Sequence, residues 1–228
     1  MTIAQLIGDY DNPASLGSRF RQRRSGPLRE MIARVYRQKG AVSILDVGGR
    51  ESYWNILPAA FLREHRVRIV MVNLERDVFP IRQSDIFSTS VGDGCDLPYE
   101  DDSFDICHSN SVIEHVNGWR GKVAFAREAS RVAPCYFHQT PNYWFPWEPH
   151  FGTPFFHWMP EPMRLWIASR RSLGWHKPAA SVDDGMAIIE FASLLTRSMV
   201  ASLFPDAEII GEKFGGMTKS FVAVRGGV

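Results

Sequence analysis

Short apolar segments that end in small or polar residues recur along this chain, and segments of helical character separate them. The apolar segments lie at 42–49, 67–75, 87–97, 103–111 and 135–141. Near-continuous apolar runs rich in β-branched residues are typical of parallel strands that are buried on both faces. Strands that alternate with helices predict a doubly wound, mostly parallel α/β sheet.

The tail of the chain is expected to complete a seven-stranded sheet. Residues 207–225 contain two apolar runs joined through Gly215-Gly216, which predicts an antiparallel strand pair at the sheet edge. Apolar residues at helical spacing predict helices over 27–39 with Pro27 at the start, within 53–64, over about 120–132 and over 185–203. Residues 1–228 are therefore expected to form one α/β domain, with residues 1–40 as a helical cover.

The stretch 141–184 interrupts this alternation and predicts an insertion after the fifth strand. Prolines repeat between 141 and 162, which excludes one long helix or strand there. The stretch is dense in aromatic side chains: Tyr143, Trp144, Phe145, Trp147, Phe151, Phe155, Phe156 and Trp158. These aromatics could form ordinary core or a lid over an apolar or sugar-like substrate.

The charge of the chain is nearly balanced, with 26 Lys and Arg against 25 Asp and Glu. A formal net charge of +1 gives no general attraction to nucleic acid or to a membrane surface, so neither is expected as a partner. A local run, Arg19, Arg21, Arg23 and Arg24, is either a solvated helix face or a contact for an anionic partner.

The three cysteines have no Cys-x-x-Cys spacing, which disfavours a disulfide framework and indicates the reducing cytoplasm. The first residues lack the pattern of a signal peptide, and no apolar run approaches membrane-spanning length. A cytoplasmic location is therefore expected, while the oligomeric state is left open.

The predicted strand ends carry groups that a nucleoside ligand needs. In chain order these groups are Asp46, Gly48, Gly49, Asn73, Leu74, Glu75, Asp93, Gly94, Ser109, Asn110 and Ser111. Ligands of open α/β sheets bind beyond the carboxyl ends of the strands. Glycines permit close approach of the backbone, an amide or acid after the second strand can bond ribose hydroxyls, and a carboxylate after the third can accept the amine of adenine. Each group could serve in an ordinary turn, but the ordered set favours a nucleoside site.

The segments ILDVGG, VNLE and GDGCDLPYEDDSFDICHSNSVIEHV, with the later TPN, resemble the class I methyltransferases that use S-adenosylmethionine (SAM). The resemblance covers residues 40–142 and implies a Rossmann-like fold, SAM as the cofactor and the strand-end residues as its ligands. Three positions depart from the family pattern. Arg50 replaces the second glycine of Asp-x-Gly-x-Gly, Asn73 replaces an acid, and Ala133-Pro134 replaces a Pro-Gly-Gly turn. The run GGRESYW lacks the glycine spacing of a dinucleotide fingerprint, so NAD is disfavoured.

Two histidines and a glutamate are the candidates for catalysis. His115 matches the Glu-His pair of the family, where a structural hydrogen bond explains it as well as catalysis does. His150 and Glu148 lie in the insertion, where His150 could be a general base or an anchor of the loop.

No metal site is expected from the sequence. The residues that could ligate zinc by their type are Cys135, His138, His150 and His157. Residues 135 and 138 would point to opposite faces of a strand, so they would not converge on one ion.

These features predict a methyltransferase for a small-molecule acceptor, with oxygen favoured as the acceptor atom. A hydroxyl acceptor benefits from a base of near-neutral pKa, which histidine supplies. One alternative is a module of the same fold that binds SAM or S-adenosylhomocysteine (SAH) without turnover, which the changes at Arg50 and Asn73 suggest. The other is methylation of protein or nucleic acid, for which the arginine run is the only hint.

Overall fold

The computed structural model describes residues 16–78 and 80–226, and a seven-stranded sheet lies at its centre. Five strands run parallel: β1 (Val42–Val47), β2 (Val67–Asn73), β3 (Phe87–Val91), β4 (Ile106–Asn110) and β5 (Cys135–Pro141). A two-stranded antiparallel sheet, β6 (Trp147–Glu148) and β7 (Thr153–Pro154), follows, and the tail forms β8 (Glu208–Phe214) and β9 (Met217–Arg225). The order in the main sheet is β3-β2-β1-β4-β5-β9-β8, with β9 antiparallel to both of its neighbours. This confirms the predicted fold class.

The strand order reverses between β1 and β4, at the centre of the sheet. Asp46 of β1 is in register with Met71 of β2 on one side and with His108 of β4 on the other. From β1 the chain moves outward to β3 and then returns to β4, so the connections leave this point in opposite directions. Such a switch point opens a crevice at the carboxyl ends of the strands.

Helices cover both faces of the sheet. They are α1 (Leu16–Lys39), α2 (Ala59–Glu64), α3 (Gly118–Val132), α4 (Glu161–Ala168), α5 (Val182–Ile189) and α6 (Arg197–Leu203). On one face α1 buries Leu28 and Met31 against a cluster that includes Ile44 of β1. On the other face α3 buries Phe125 with Leu45 of β1. Burial of both faces explains why the central strands are near-continuous apolar runs.

Two predicted helix bounds are wrong. Helix α1 begins at Leu16, so Pro27 lies inside it, and the buried stripe of α1 outweighs the hydrogen bond that proline removes. The predicted helix 185–203 is two helices, because the segment between them bonds to the chain that follows β5: the Tyr143 amide donates to the Leu195 carbonyl at 2.9 Å. Thr196 then caps α6 by accepting from the Met199 amide.

The insertion has a small core of its own. Phe151 and Phe156 are buried with Leu173 of the following loop and Ile189 of α5. Other aromatics of the insertion stay exposed, among them Trp144 at 64%. The insertion therefore combines core packing with an apolar outer surface. Across the described residues, the helices are too short or too polar to cross a membrane.

Candidate functional site

The loops that follow β1, β2 and β3 meet at the carboxyl edge of the sheet. The Gly48 amide donates to the Val72 carbonyl at 2.8 Å, and the Gly92 amide donates to the Asn73 carbonyl at 2.9 Å. The Asn73 side chain in turn donates to the Gly49 carbonyl at 3.0 Å. The segments that carry Asp46, Asn73 and Asp93 are thus direct neighbours, as the sequence predicts.

Glycine is required where these loops pack against each other. Gly48 has φ +70°, and a Cβ there would lie 2.6 Å from a methyl carbon of Val112, after β4. A Cβ on Gly94 would lie 2.8 Å from a methyl carbon of Val47. Both distances are shorter than van der Waals contact allows, so larger residues would push the loops apart. The contact of Gly48 with Val112 also joins the loop after β1 to the loop after β4.

Asp46 lies below this edge, in a buried hydrogen-bond network. Its carboxylate accepts from Trp54 Nε1 at 2.8 Å and contacts His108 Nδ1 at 2.6 Å. The other ring nitrogen of His108 lies 3.1 Å from the Tyr53 hydroxyl, and burial raises the pKa of Tyr53 to about 12. Asp46 is 1% exposed, and a Cβ on Gly49 would lie 2.0 Å from its carboxylate. The network fixes the loop after β1; a contact of Asp46 with the cofactor stays a prediction.

Exposed groups for a nucleoside lie at the ends of β2 and β3. Leu74 is 41% exposed and Glu75 follows it in a single exposed turn. Asp93 is exposed, and one of its oxygens accepts from the Cys95 amide at 2.9 Å. An apolar side chain beside two exposed carboxylates fits adenosine, whose flat base is apolar on its faces and whose edge and ribose donate hydrogen bonds. Asn73 is buried, so its part toward the cofactor stays a prediction.

At the end of β4 the predicted cofactor residues are held by neighbouring elements. Ser109 is fully buried and its hydroxyl lies 2.7 Å from His138 Nδ1. Asn110 accepts from Arg24 at 2.5 Å, and Ser111, with φ +55°, donates to Gln139 at 3.0 Å. These side chains support the loop after β4, and their contacts with the cofactor stay predictions.

Arg24 is a site residue that sequence reasoning missed. Besides Asn110 it contacts Glu212 of β8 at 3.0 Å, and its side chain is almost enclosed. Arg24 thus joins α1 to the carboxyl edge of the sheet. The prediction of a solvated helix face is therefore wrong for Arg24. The side chains of Arg19, Arg21 and Arg23 lie outside the described residues, so the prediction for them is left as it stands.

A cluster of polar side chains adjoins the loop after β4. Glu114 is buried, and its Oε2 accepts from the Thr140 hydroxyl at 3.0 Å. His150 Nε2 lies 3.8 Å from Glu114 Oε1, and His150 Nδ1 lies 2.7 Å from Glu148 Oε1. The rings of His115 and His150 are 4.7 Å apart in an edge-to-face arrangement. The structure thus brings together all three predicted catalytic residues and adds Glu114 and Thr140. We name these five residues the His–Glu cluster.

Glu148 and Glu114 control the charge of His150. Burial lowers the pKa of His150, but the hydrogen bond to Glu148 and the charges of Glu148 and Glu114 outweigh burial, so the pKa is raised. The second oxygen of Glu148 accepts from the Phe151 amide at 2.7 Å, which fixes the carboxylate in the turn between β6 and β7. His150 is therefore held in one orientation beside the loop after β4.

His138 and His157, which could ligate zinc by residue type, have separate partners. His138 lies inside the sheet against Ser109, and burial lowers its pKa to about 3. His157 Nε2 lies 2.7 Å from the Tyr143 carbonyl.

Residues 48–134 match a family model described as a methyltransferase domain. No curated protein matches the sequence. The fold is similar to that of the PH0226 protein from Pyrococcus horikoshii, with a TM-score of 0.53 and 16% identity over 95% of this chain and 93% of that one.

Two further solved structures show weaker similarity. A putative O-methyltransferase from Nostoc punctiforme has a TM-score of 0.46 and 10% identity over 88% of this chain, which spans only 56% of that protein. The 1,6-didemethyltoxoflavin-N1-methyltransferase of Burkholderia thailandensis, solved with its acceptor and SAH, has a TM-score of 0.48 and 12% identity. It covers 88% of this chain, which covers 78% of that one.

Proposed function

We propose that this chain, whose residues 48–134 match a methyltransferase domain, is a class I SAM-dependent methyltransferase that methylates a hydroxyl group of a small molecule. The observation that carries the proposal is the Glu148–His150 pair, which lies beside the loop after β4. A hydroxyl acceptor gains from a positioned base, because an alkoxide is a much better nucleophile than an alcohol.

The cofactor lies across the carboxyl edge of the sheet in this proposal. Asp93 accepts the amine of adenine, Leu74 packs on the base, and Glu75 bonds the ribose. The backbone of Gly48 and Gly49 approaches the methionine portion, while the remaining predicted ligands hold the loops in place. Those ligands are Asp46, Asn73, Gly94, Ser109, Asn110 and Ser111.

The acceptor lies over the His–Glu cluster, and three residues of the cluster have roles in transfer. The acceptor oxygen forms a bond to the methyl carbon as the carbon–sulfur bond breaks, and SAH leaves as a neutral thioether. The hydroxyl proton passes to Nε2 of His150, which Glu148 orients through Nδ1. In this proposal His115, whose ring lies 4.7 Å from that of His150, fixes the position of the acceptor. Alignment of the two reactants and exclusion of water supply the rest of the rate enhancement.

The surroundings of the cluster favour a small acceptor over a macromolecule. His150 of the insertion lies 3.8 Å from Glu114, and Arg24 of α1 donates to Asn110, so in this proposal the insertion, residues 141–184, and α1 cover the carboxyl edge of one domain. The net charge of +1 offers no general attraction to nucleic acid. Cys95, Cys107 and Cys135 are free thiols, which suits a cytoplasmic reaction.

The test is an acceptor panel with a matched pair of variants. The protein is incubated with SAM and hydroxylated small molecules, and SAH is quantified. We expect turnover with at least one acceptor, a 10²–10⁴-fold loss of kcat in His150→Gln, and no loss in His65→Gln, a histidine that follows α2 and contacts the Phe61 carbonyl. Binding of SAH without turnover across the panel would instead favour the non-catalytic alternative. Turnover that is unchanged in His150→Gln would contradict the role of the pair.

A further inference from the structure

We propose that Glu114, His115 and His150 bind a divalent transition-metal cation such as Zn²⁺ or Mn²⁺. Each residue offers one ligand atom, and these atoms lie within 4.8 Å of one another. Among the described residues no other group of three His, Cys, Asp or Glu side chains converges in this way. The inference deepens the proposed function and rests on it, because the cation would lie where the acceptor hydroxyl is placed.

The first argument is a buried oxygen without a hydrogen-bond donor. The Glu114 side chain is fully enclosed, and Thr140 donates to only one of its two oxygens. Oε1 has no hydrogen-bond partner among the described residues, and the nearest charged candidate is His150 Nε2 at 3.8 Å. A buried carboxylate oxygen that lacks a donor is costly, and a cation would compensate its charge directly.

The second argument is the orientation of the two imidazoles. Nδ1 of His150 lies 2.7 Å from a Glu148 oxygen, and Nδ1 of His115 lies 2.8 Å from the Phe191 carbonyl. Both partners can only accept, so in the neutral form of each ring Nδ1 carries the proton and Nε2 keeps a lone pair. Histidine ligands of metal ions are held in this way, with the second ring nitrogen bonded to a carboxylate or a carbonyl.

The third argument is the donor set. Two histidines and one carboxylate are the protein ligands of catalytic zinc sites and of open iron(II) sites, which leave further positions for water or substrate. Ligand atoms of a tetrahedral zinc ion lie roughly 3.3 Å apart at ordinary bond lengths. The cluster would therefore close by up to about 1.5 Å on binding, mainly through side-chain rotation of His115, which is exposed.

The position of the cluster suits a task in methyl transfer. The turn Ile113–His115 follows Val112, which contacts Gly48 in the loop after β1, where the proposed function places the cofactor. A bound cation lowers the pKa of a coordinated hydroxyl, which would then lose its proton to water. In the metal-bound form His150 acts as a ligand, whereas in the metal-free form it accepts the proton.

The test measures metal binding without turnover. Chelator-treated protein is titrated with Zn²⁺ by calorimetry and with Co²⁺ by visible absorption, and SAH binding is measured on the same samples. Glu114→Gln and His150→Gln keep the size of the side chains to a good approximation and remove one ligand each. His65→Gln is the control for adventitious binding by a histidine outside the cluster.

We expect one cation per chain, with affinity at least 100-fold weaker in Glu114→Gln and His150→Gln and unchanged in His65→Gln. Glu148→Gln should weaken binding by 10–100-fold, because it removes only the support of His150. Absence of binding, or binding that both ligand variants retain, would overturn the inference. The proposed function is tested separately. If it is wrong, the protein will not bind SAH or will not methylate any acceptor, whether or not it binds a metal ion.

Discussion

Replacing Asp46 by asparagine tests whether this buried carboxylate stabilises the loop after β1 through its hydrogen bonds. Asp46 is buried and bonded to both Trp54 and His108, so the isosteric change leaves the volume intact and removes the charge. A hydrogen bond to a charged group contributes roughly 1.5–3 kcal/mol, and an unpaired buried donor costs about 1–3 kcal/mol. The asparagine oxygen can replace only one of the two acceptors. We therefore expect Asp46→Asn to lower the free energy of unfolding by about 2–4 kcal/mol.

The assay is urea unfolding followed by tryptophan fluorescence, without SAM. With a slope of about 2–3 kcal/mol/M, the midpoint should fall by about 1 M. Asp96→Asn is the control, because Asp96 is exposed on the neighbouring loop and should change stability by less than about 0.5 kcal/mol. If Asp46→Asn keeps the wild-type midpoint but loses SAH binding, Asp46 faces the cofactor and the reasoning from the buried network is refuted.

Two further variants test packing and charge. Gly49→Ala should destabilise the fold by about 1–3 kcal/mol, because the new Cβ would lie 2.0 Å from the Asp46 carboxylate. The control is Gly26→Ala, in open space on α1, which should be neutral or stabilising in the same urea assay. Equal effects of the two variants would contradict the packing argument. Burial raises the pKa of Asp105, but its hydrogen bonds, first to Lys39 at 2.5 Å, outweigh burial and lower it. The stability that Asp105 contributes is therefore present above its unfolded pKa of about 3.9 and is lost as pH falls through its lower folded value. Asp105→Asn should have a lower free energy of unfolding than wild type at pH 7. The difference in free energy between the two proteins should be smaller at pH 3.5, and a difference that stays constant with pH would contradict this account.

The sequence predicts the sheet because its strands are local features. The apolar runs of β1 and β2, which are mostly buried, carry their burial in their composition, and β5 has the predicted bounds 135–141. The helix 185–203 fails for the opposite reason. The helical spacing of apolar residues continues through the segment between α5 and α6. The backbone of that segment bonds to the chain after β5, and this tertiary contact overrides the helical spacing.

The candidate site could be predicted only in part. The sequence is sufficient to bring the loops together, because parallel strands end at one edge, but the partners of each side chain depend on tertiary structure. Asp46 meets His108, and Arg24 meets Glu212 across 188 positions in the chain. The Glu-His pair was visible in the sequence as a motif. Its convergence with His150 follows from the path of the insertion, which local patterns do not encode.

The most direct test of the central claim is a calorimetric titration of SAH into the purified protein. If the carboxyl edge of the sheet holds the adenosyl group, the titration should show one site per chain. Asp93→Ala should bind SAH about 10-fold more weakly, which is the loss of one hydrogen bond, and Asp96→Asn should bind as wild type does. A titration without binding heat at several temperatures, or equal affinity in Asp93→Ala, would contradict the account.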